Sequence, residues 1–108
     1  MVEDNNFPRR LFERIPRFEW DERKRRSNVI KHGIDFSDAI EAFYDPAAYT
    51  FRSPHPASER RYVTVGVMRG ALIAVIFTIR NEVVRIISAR AARRGERQTY
   101  GAAEKKTE

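Results

Sequence analysis

With 108 residues, 42% of them hydrophobic and 33% charged, the chain is sized for one domain with one modest core and fits a soluble globular domain rather than a disordered one. Its longest apolar run, Ala71 to Phe77, is far too short to span a bilayer, and the acidic, polar stretch Met1 to Asn6 does not read as a signal peptide. Cysteine is absent, which excludes disulfides and thiolate metal sites and fits a reducing cytoplasm; the net charge is +6, from 21 Lys and Arg against 15 Asp and Glu.

Residues 1–17 read as an extension. Pro8 and Pro16 bracket room for about two helical turns, with Leu11 and Ile15 four apart. A single domain is expected over residues 18–103, followed by a charged tail at 104–108. Phe18 to Trp20 reads as a short strand with its two aromatics on one face. Asp21 is a good N-cap and Glu22 suits the first turn, so a helix is predicted to His32, ended by Gly33 in the left-handed conformation. That helix has almost no apolar stripe. It is expected on the surface, held by Trp20, Val29 and Ile30, with Arg25, Asn28 and His32 along one face and Lys24 and Lys31 beside Asn28.

A second helix is capped by Asp35 or Ser37. Phe36, Ala39, Ile40 and Phe43 recur at core spacing, and Asp45-Pro46 ends it. Tyr49 to Arg52 is a candidate strand, and residues 53–58, including His55 between two prolines, form a loop. Strands are predicted over 61–68, 71–79 and 83–89, separated by turns at Arg69-Gly70 and Arg80-Asn81-Glu82. The middle strand has large apolar groups on both parities, so helices should cover part of each face. Ala91 to Ala103 reads as a helix. Gly95 costs it about 1 kcal/mol relative to Ala, so it is expected to start only near that residue. The fold class is α+β: a short strand, two helices, an antiparallel meander of three to four strands, and a last helix.

Only 4 of the 21 cations are lysine, so the charge excess is arginine, whose planar fork matches phosphate better than a point charge does. A polyanionic partner, nucleic acid or an acidic protein, is one reading; simple solubility is the other. There is no Gly-rich phosphate loop, no nucleophile elbow, and no His or carboxylate spacing that argues for a catalytic metal. What remains is one helical histidine, His32, among cations. That set suits cleavage of RNA without metal or cofactor: a base takes the 2′-hydroxyl proton, an acid protonates the leaving oxygen, and cations neutralise the phosphorane. Histidine is the side chain suited to exchanging protons at physiological pH, arginines supply charge, and Tyr100 can donate a proton or stack a base. The competing structural readings are a capping His32, a solvated Lys31, Arg61 and Arg90 paired with Glu59 or Glu96, and a core Tyr100 whose hydroxyl reaches solvent.

The pattern Phe18-Glu19-Trp20-Asp21, then Lys24, Asn28, Lys31-His32-Gly33, Asp35-Phe36 and Ala39 resembles the opening of the BrnT family of type II toxins. Ile87-Ser88-Ala89-Arg90-Ala91-Ala92, with Glu96-Arg97 and Tyr100, resembles that family's close. The resemblance covers about residues 18–100. It implies a RelE-like fold and a metal-independent endoribonuclease that stops translation, held inactive by a BrnA-like antitoxin. The toxin–antitoxin complex, a hetero-oligomer built on an antitoxin dimer, would reach operator DNA only through the antitoxin. Lys31, His32, Arg61 and Arg90 match positions associated with activity; Glu59, Arg25, Asn28 and Tyr100 are candidate RNA contacts. His32 as base or acid, with Arg61 and Arg90 on phosphate and Lys31 on the RNA backbone, is one assignment, and swapped roles fit the sequence equally well. A non-catalytic basic module for RNA, DNA or an acidic partner is the alternative, and a degenerate toxin kept as a repressor subunit is a third reading.

Overall fold

The computed structural model describes residues 17–54 and 59–106. The predicted helix between Pro8 and Pro16, the His55 segment of the loop and the last two residues of the tail lie outside the described residues.

The elements run β1 (Arg17–Trp20), α1 (Glu22–His32), α2 (Phe36–Ala39) continued by a 3₁₀ turn (Ile40–Tyr44), β2 (Tyr49–Arg52), β3 (Tyr62–Met68), β4 (Ala71–Arg80), β5 (Val83–Ala91) and α3 (Arg94–Lys106). The α+β class and the element order are those expected. The sheet order is β1-β5-β4-β3-β2, and β2 to β5 form the antiparallel meander. Left-handed residues close both long hairpins, Arg69-Gly70 (φ 49° and 80°) and Asn81-Glu82 (φ 50° and 64°), as two-residue hairpin turns require. β1 adds a fifth strand, parallel to β5, with Phe18 beside Val84 and Trp20 beside Ile86. The sheet is therefore mixed. No local turn signal announces a parallel pair, because its two strands are joined by most of the chain.

Two cores sandwich β4, as its two-sided apolar pattern requires. On one face Ile73, Val75 and Phe77 meet Val84, Ile86, Phe36, Ala39 and Ala42, with Phe18, Trp20 and Phe43 packed alongside. Gly66 lets the 3₁₀ turn close onto β3, since a Cβ there would run into the Ala42 carbonyl. On the other face Tyr49, Val63, Val65 and Ala74 pack with Ala92 and Tyr100, so α3 covers that side.

α1 is capped as predicted. The Asp21 carboxylate accepts from the Arg23 and Lys24 amides at 2.8 and 3.2 Å. Gly33 takes φ 70°, ψ 18° and its N–H bonds the Val29 carbonyl at 2.8 Å. The expected anchors differ. Val29 is 39% exposed and Ile30 85% exposed, so they do not hold the helix down. Asn28 does, at 5% exposure. α3 begins at Arg94, near Gly95 and later than Ala91, and runs to Lys106. Ala91 instead completes β5.

Candidate functional site

One cross-strand row of the sheet builds the floor of a cavity of about 580 Å³. Phe51 on β2 lies beside Val63 on β3, Val63 beside Ile76 on β4, and Ile76 beside Ser88 on β5. A β-bulge follows: Phe77 pairs with Ile86, which leaves Ile87 without a partner strand residue. Ile87 and Ser88 both line the cavity, although successive strand residues normally point to opposite faces. Arg61 stands at one side of this floor. Arg90, Arg93 and Glu96 stand at the other, where β5 hands over to α3.

The two predicted arginines share the cavity in different states. Arg90 makes a bidentate pair with Glu96, Nη1 to Oε1 at 2.8 Å and Nη2 to Oε2 at 2.9 Å, with side chains 17% and 12% exposed. Glu96 also accepts from the Arg93 amide at 2.8 Å and so caps α3. Arg90's hydrogen bonds hold the Glu96 carboxyl below the usual glutamate range, against the opposing effect of burial. Arg61 has no such partner. Its Nε is buried and makes no hydrogen bond, and its guanidinium enters no ion pair among the described residues. Glu59 pairs with Arg80 instead, Nε to Oε2 at 2.9 Å and Nη2 to Oε1 at 2.7 Å.

Lys31 and His32 are exposed on the last turn of α1 and do not line the cavity. Their helix is fixed to its edge. The Asn28 amide donates to the Ala89 carbonyl at 2.9 Å, and its oxygen accepts from the Ala89 amide at 3.1 Å and from the Ser88 hydroxyl at 3.4 Å. Ala89 lies between Ser88 and Arg90, which both line the cavity. His32 follows Asn28 by one turn, about 6 Å of helical rise.

The remaining candidates are engaged inside the fold. Asn28 is filled by Ala89 and by the Ile34 carbonyl at 2.8 Å, so its amide is a fastener rather than an outward contact. Arg25 reaches Glu22 through Nε at 2.9 Å and Asp35 through Nη1 at 2.8 Å, which ties α1 to the start of α2. Tyr100 is 8% exposed, and its hydroxyl donates to Asp45 at 2.7 Å rather than reaching solvent. Sequence reasoning did not single out Phe51, Ile87, Ser88 or Arg93 as site residues. Ser88 sat in the motif containing Arg90, but nothing local marks a bulge, which exists only once β4 and β5 are in register. Among the described residues no group of three His, Cys, Asp or Glu side chains could hold a metal ion.

A family model described as ribonuclease toxin, BrnT, of type II toxin-antitoxin system matches residues 20–96. That stretch spans α1 with Lys31 and His32, the whole meander and the Arg90–Glu96 pair. No curated protein matches the chain significantly. The chain therefore belongs to the BrnT family of ribonuclease toxins of type II toxin–antitoxin systems.

Proposed function

We propose that this toxin is a metal-independent endoribonuclease whose substrate phosphate binds in the cavity beside Arg61. The observation that carries this reading is the unpartnered, buried Nε of Arg61. A buried N–H donor without an acceptor is costly, and an incoming phosphate oxygen removes that cost. On the other side Glu96 holds Arg90 in a fixed orientation and offsets its charge, so the net positive charge there comes from the exposed Arg93. The exposed Lys31 and His32 are free to approach bound RNA from the edge that Asn28 secures.

The 2′-hydroxyl of the substrate attacks the adjacent phosphorus as a base removes its proton. The bond from phosphorus to the 5′-oxygen breaks, and an acid protonates that oxygen. The products are a 2′,3′-cyclic phosphate and a free 5′-hydroxyl. His32 supplies one of the two proton transfers. Cleavage in the cytoplasm halts translation until a BrnA-like antitoxin covers the cationic site. The resulting hetero-oligomer, built on an antitoxin dimer, binds operator DNA through the antitoxin and represses its own expression.

The test is purified protein with single-stranded RNA, with and without a chelator, and end-group analysis of the products. Cyclic-phosphate ends, formed equally in chelator and lost in Arg61→Ala and His32→Ala proteins that remain folded, support the reading. Salt-sensitive binding with no cleavage product at any concentration would instead identify a non-catalytic basic module.

A further inference from the structure

We infer that the apolar row of Phe51, Ile76 and Ile87, floored by the buried Val63, is a base-binding trough that takes unpaired nucleotides and turns duplex RNA away. The inference rests on the ribonuclease reading and deepens it by specifying the strandedness of the substrate.

A phosphate site needs only cations. This cavity has more: its arginines stand at the two sides of a floor that carries Phe51, Val63, Ile76 and Ile87, with Ser88 at its β5 end. Four adjacent strands make that floor about 14 Å long at the usual strand spacing. Val63 belongs to the core that Ala92 and Tyr100 of α3 cover, together with Tyr49, Val65 and Ala74, and Phe51 and Ile76 pack against that core from the side. Among the described residues Phe51, Ile76 and Ile87 stay partly exposed along the cavity. Phe51 is only half-buried and is braced by Tyr49, ring centroids 6.0 Å apart and 24° from parallel. The bulge turns Ile87 onto the floor, where a regular strand would direct it away.

Apolar floor and arginine flanks together match a nucleotide whose base lies on Phe51 and the aliphatic row while its phosphate reaches Arg61. Bases in an A-form duplex are stacked and paired, and their faces cannot meet such a surface; those of a single strand can. An acidic protein segment would satisfy the arginines but would not require a flat aromatic platform.

The experiment uses the full chain and a short 2′-O-methyl RNA, which has no 2′-hydroxyl and is not cut. Affinity is measured for the single strand, for its duplex, and for a strand with abasic positions. The single strand is expected to bind at least about tenfold more tightly than either comparator, and Phe51→Ala to lose about tenfold. Phe51→Leu keeps an apolar side chain and should lose part of that affinity, with thermal unfolding checking the fold of both variants. Equal affinity for duplex or abasic RNA overturns the trough, as does a folded Phe51→Ala protein that binds and cuts RNA with unchanged KM. A Phe51→Ala effect confined to antitoxin affinity also overturns it and makes the row a protein-docking surface. Cleavage by the wild-type protein is scored separately: if it cuts RNA while the trough tests fail, only the trough falls, and if it cuts nothing, the ribonuclease reading falls.

Discussion

The Asn28 carboxamide pairs with both backbone polar groups of Ala89, as a neighbouring strand would. β1 covers β5 only as far as Ile86, so beyond that point β5 has an open edge. One side chain on α1 continues the ladder there and fixes the helix that carries Lys31 and His32. Removing it leaves buried donors and acceptors unpaired. Asn28→Ala should cost about 2–3 kcal/mol, or a Tm lower by on the order of 10 °C. Thermal unfolding checks this; an unchanged Tm would mean that the pairing is dispensable.

Arg61 and Arg90 should part company in a stability assay. Arg61→Ala removes a guanidinium with a buried, unpaired Nε, so stability should hold or rise slightly while cleavage falls about 100-fold or more. Arg61→Lys restores charge without the fork and should recover only part of the activity. Arg90→Ala leaves Glu96 without its cation, which should cost about 2–3 kcal/mol and lower activity. Urea unfolding alongside single-turnover cleavage separates the two behaviours.

Tyr100→Phe should destabilise the protein by about 1–2 kcal/mol, the cost of a hydrogen bond to a carboxylate, and leave RNA affinity unchanged. Asp45 also accepts from the Ala47 and Val67 amides at 2.9 Å each, so it joins the end of the 3₁₀ turn, β3 and α3. A specific loss of RNA binding at unchanged Tm would contradict this assignment.

Asp45 and Glu96 also set the direction of acid sensitivity. Burial raises the Asp45 carboxyl, but the Tyr100 hydroxyl and two backbone amides outweigh it and hold it below the ordinary value. Glu96 is lowered by Arg90. Both pKa values are lower folded than unfolded. Their stabilisation is therefore present above the unfolded carboxylate range and is lost as pH falls through the folded values. Tm should drop through the acidic range, and Glu96→Gln should flatten part of that drop. A Tm independent of pH there would count against both pairings.

The sequence by itself determined the elements whose causes are local. Asp21 and Gly33 bounded α1 through a carboxylate cap and a left-handed backbone. Phe36, Ala39, Ile40 and Phe43 marked a core stripe, and Arg69-Gly70 and Arg80-Asn81-Glu82 marked the hairpin turns that order the meander, the second of which the structure narrows to Asn81-Glu82. The two-sided apolar pattern of β4 gave away its central place. Tertiary structure decided what depends on partners distant in the chain. It seated β1 parallel to β5 and formed the bulge at Ile87. It also decided the carboxylate pairings: Glu96 went to Arg90 and Glu59 to Arg80, and Arg61 makes no ion pair among the described residues. Asn28 and Tyr100 looked like outward polar groups because a residue type does not reveal its burial. Only the closed sheet shows that one replaces a missing strand and the other ties α3 to Asp45.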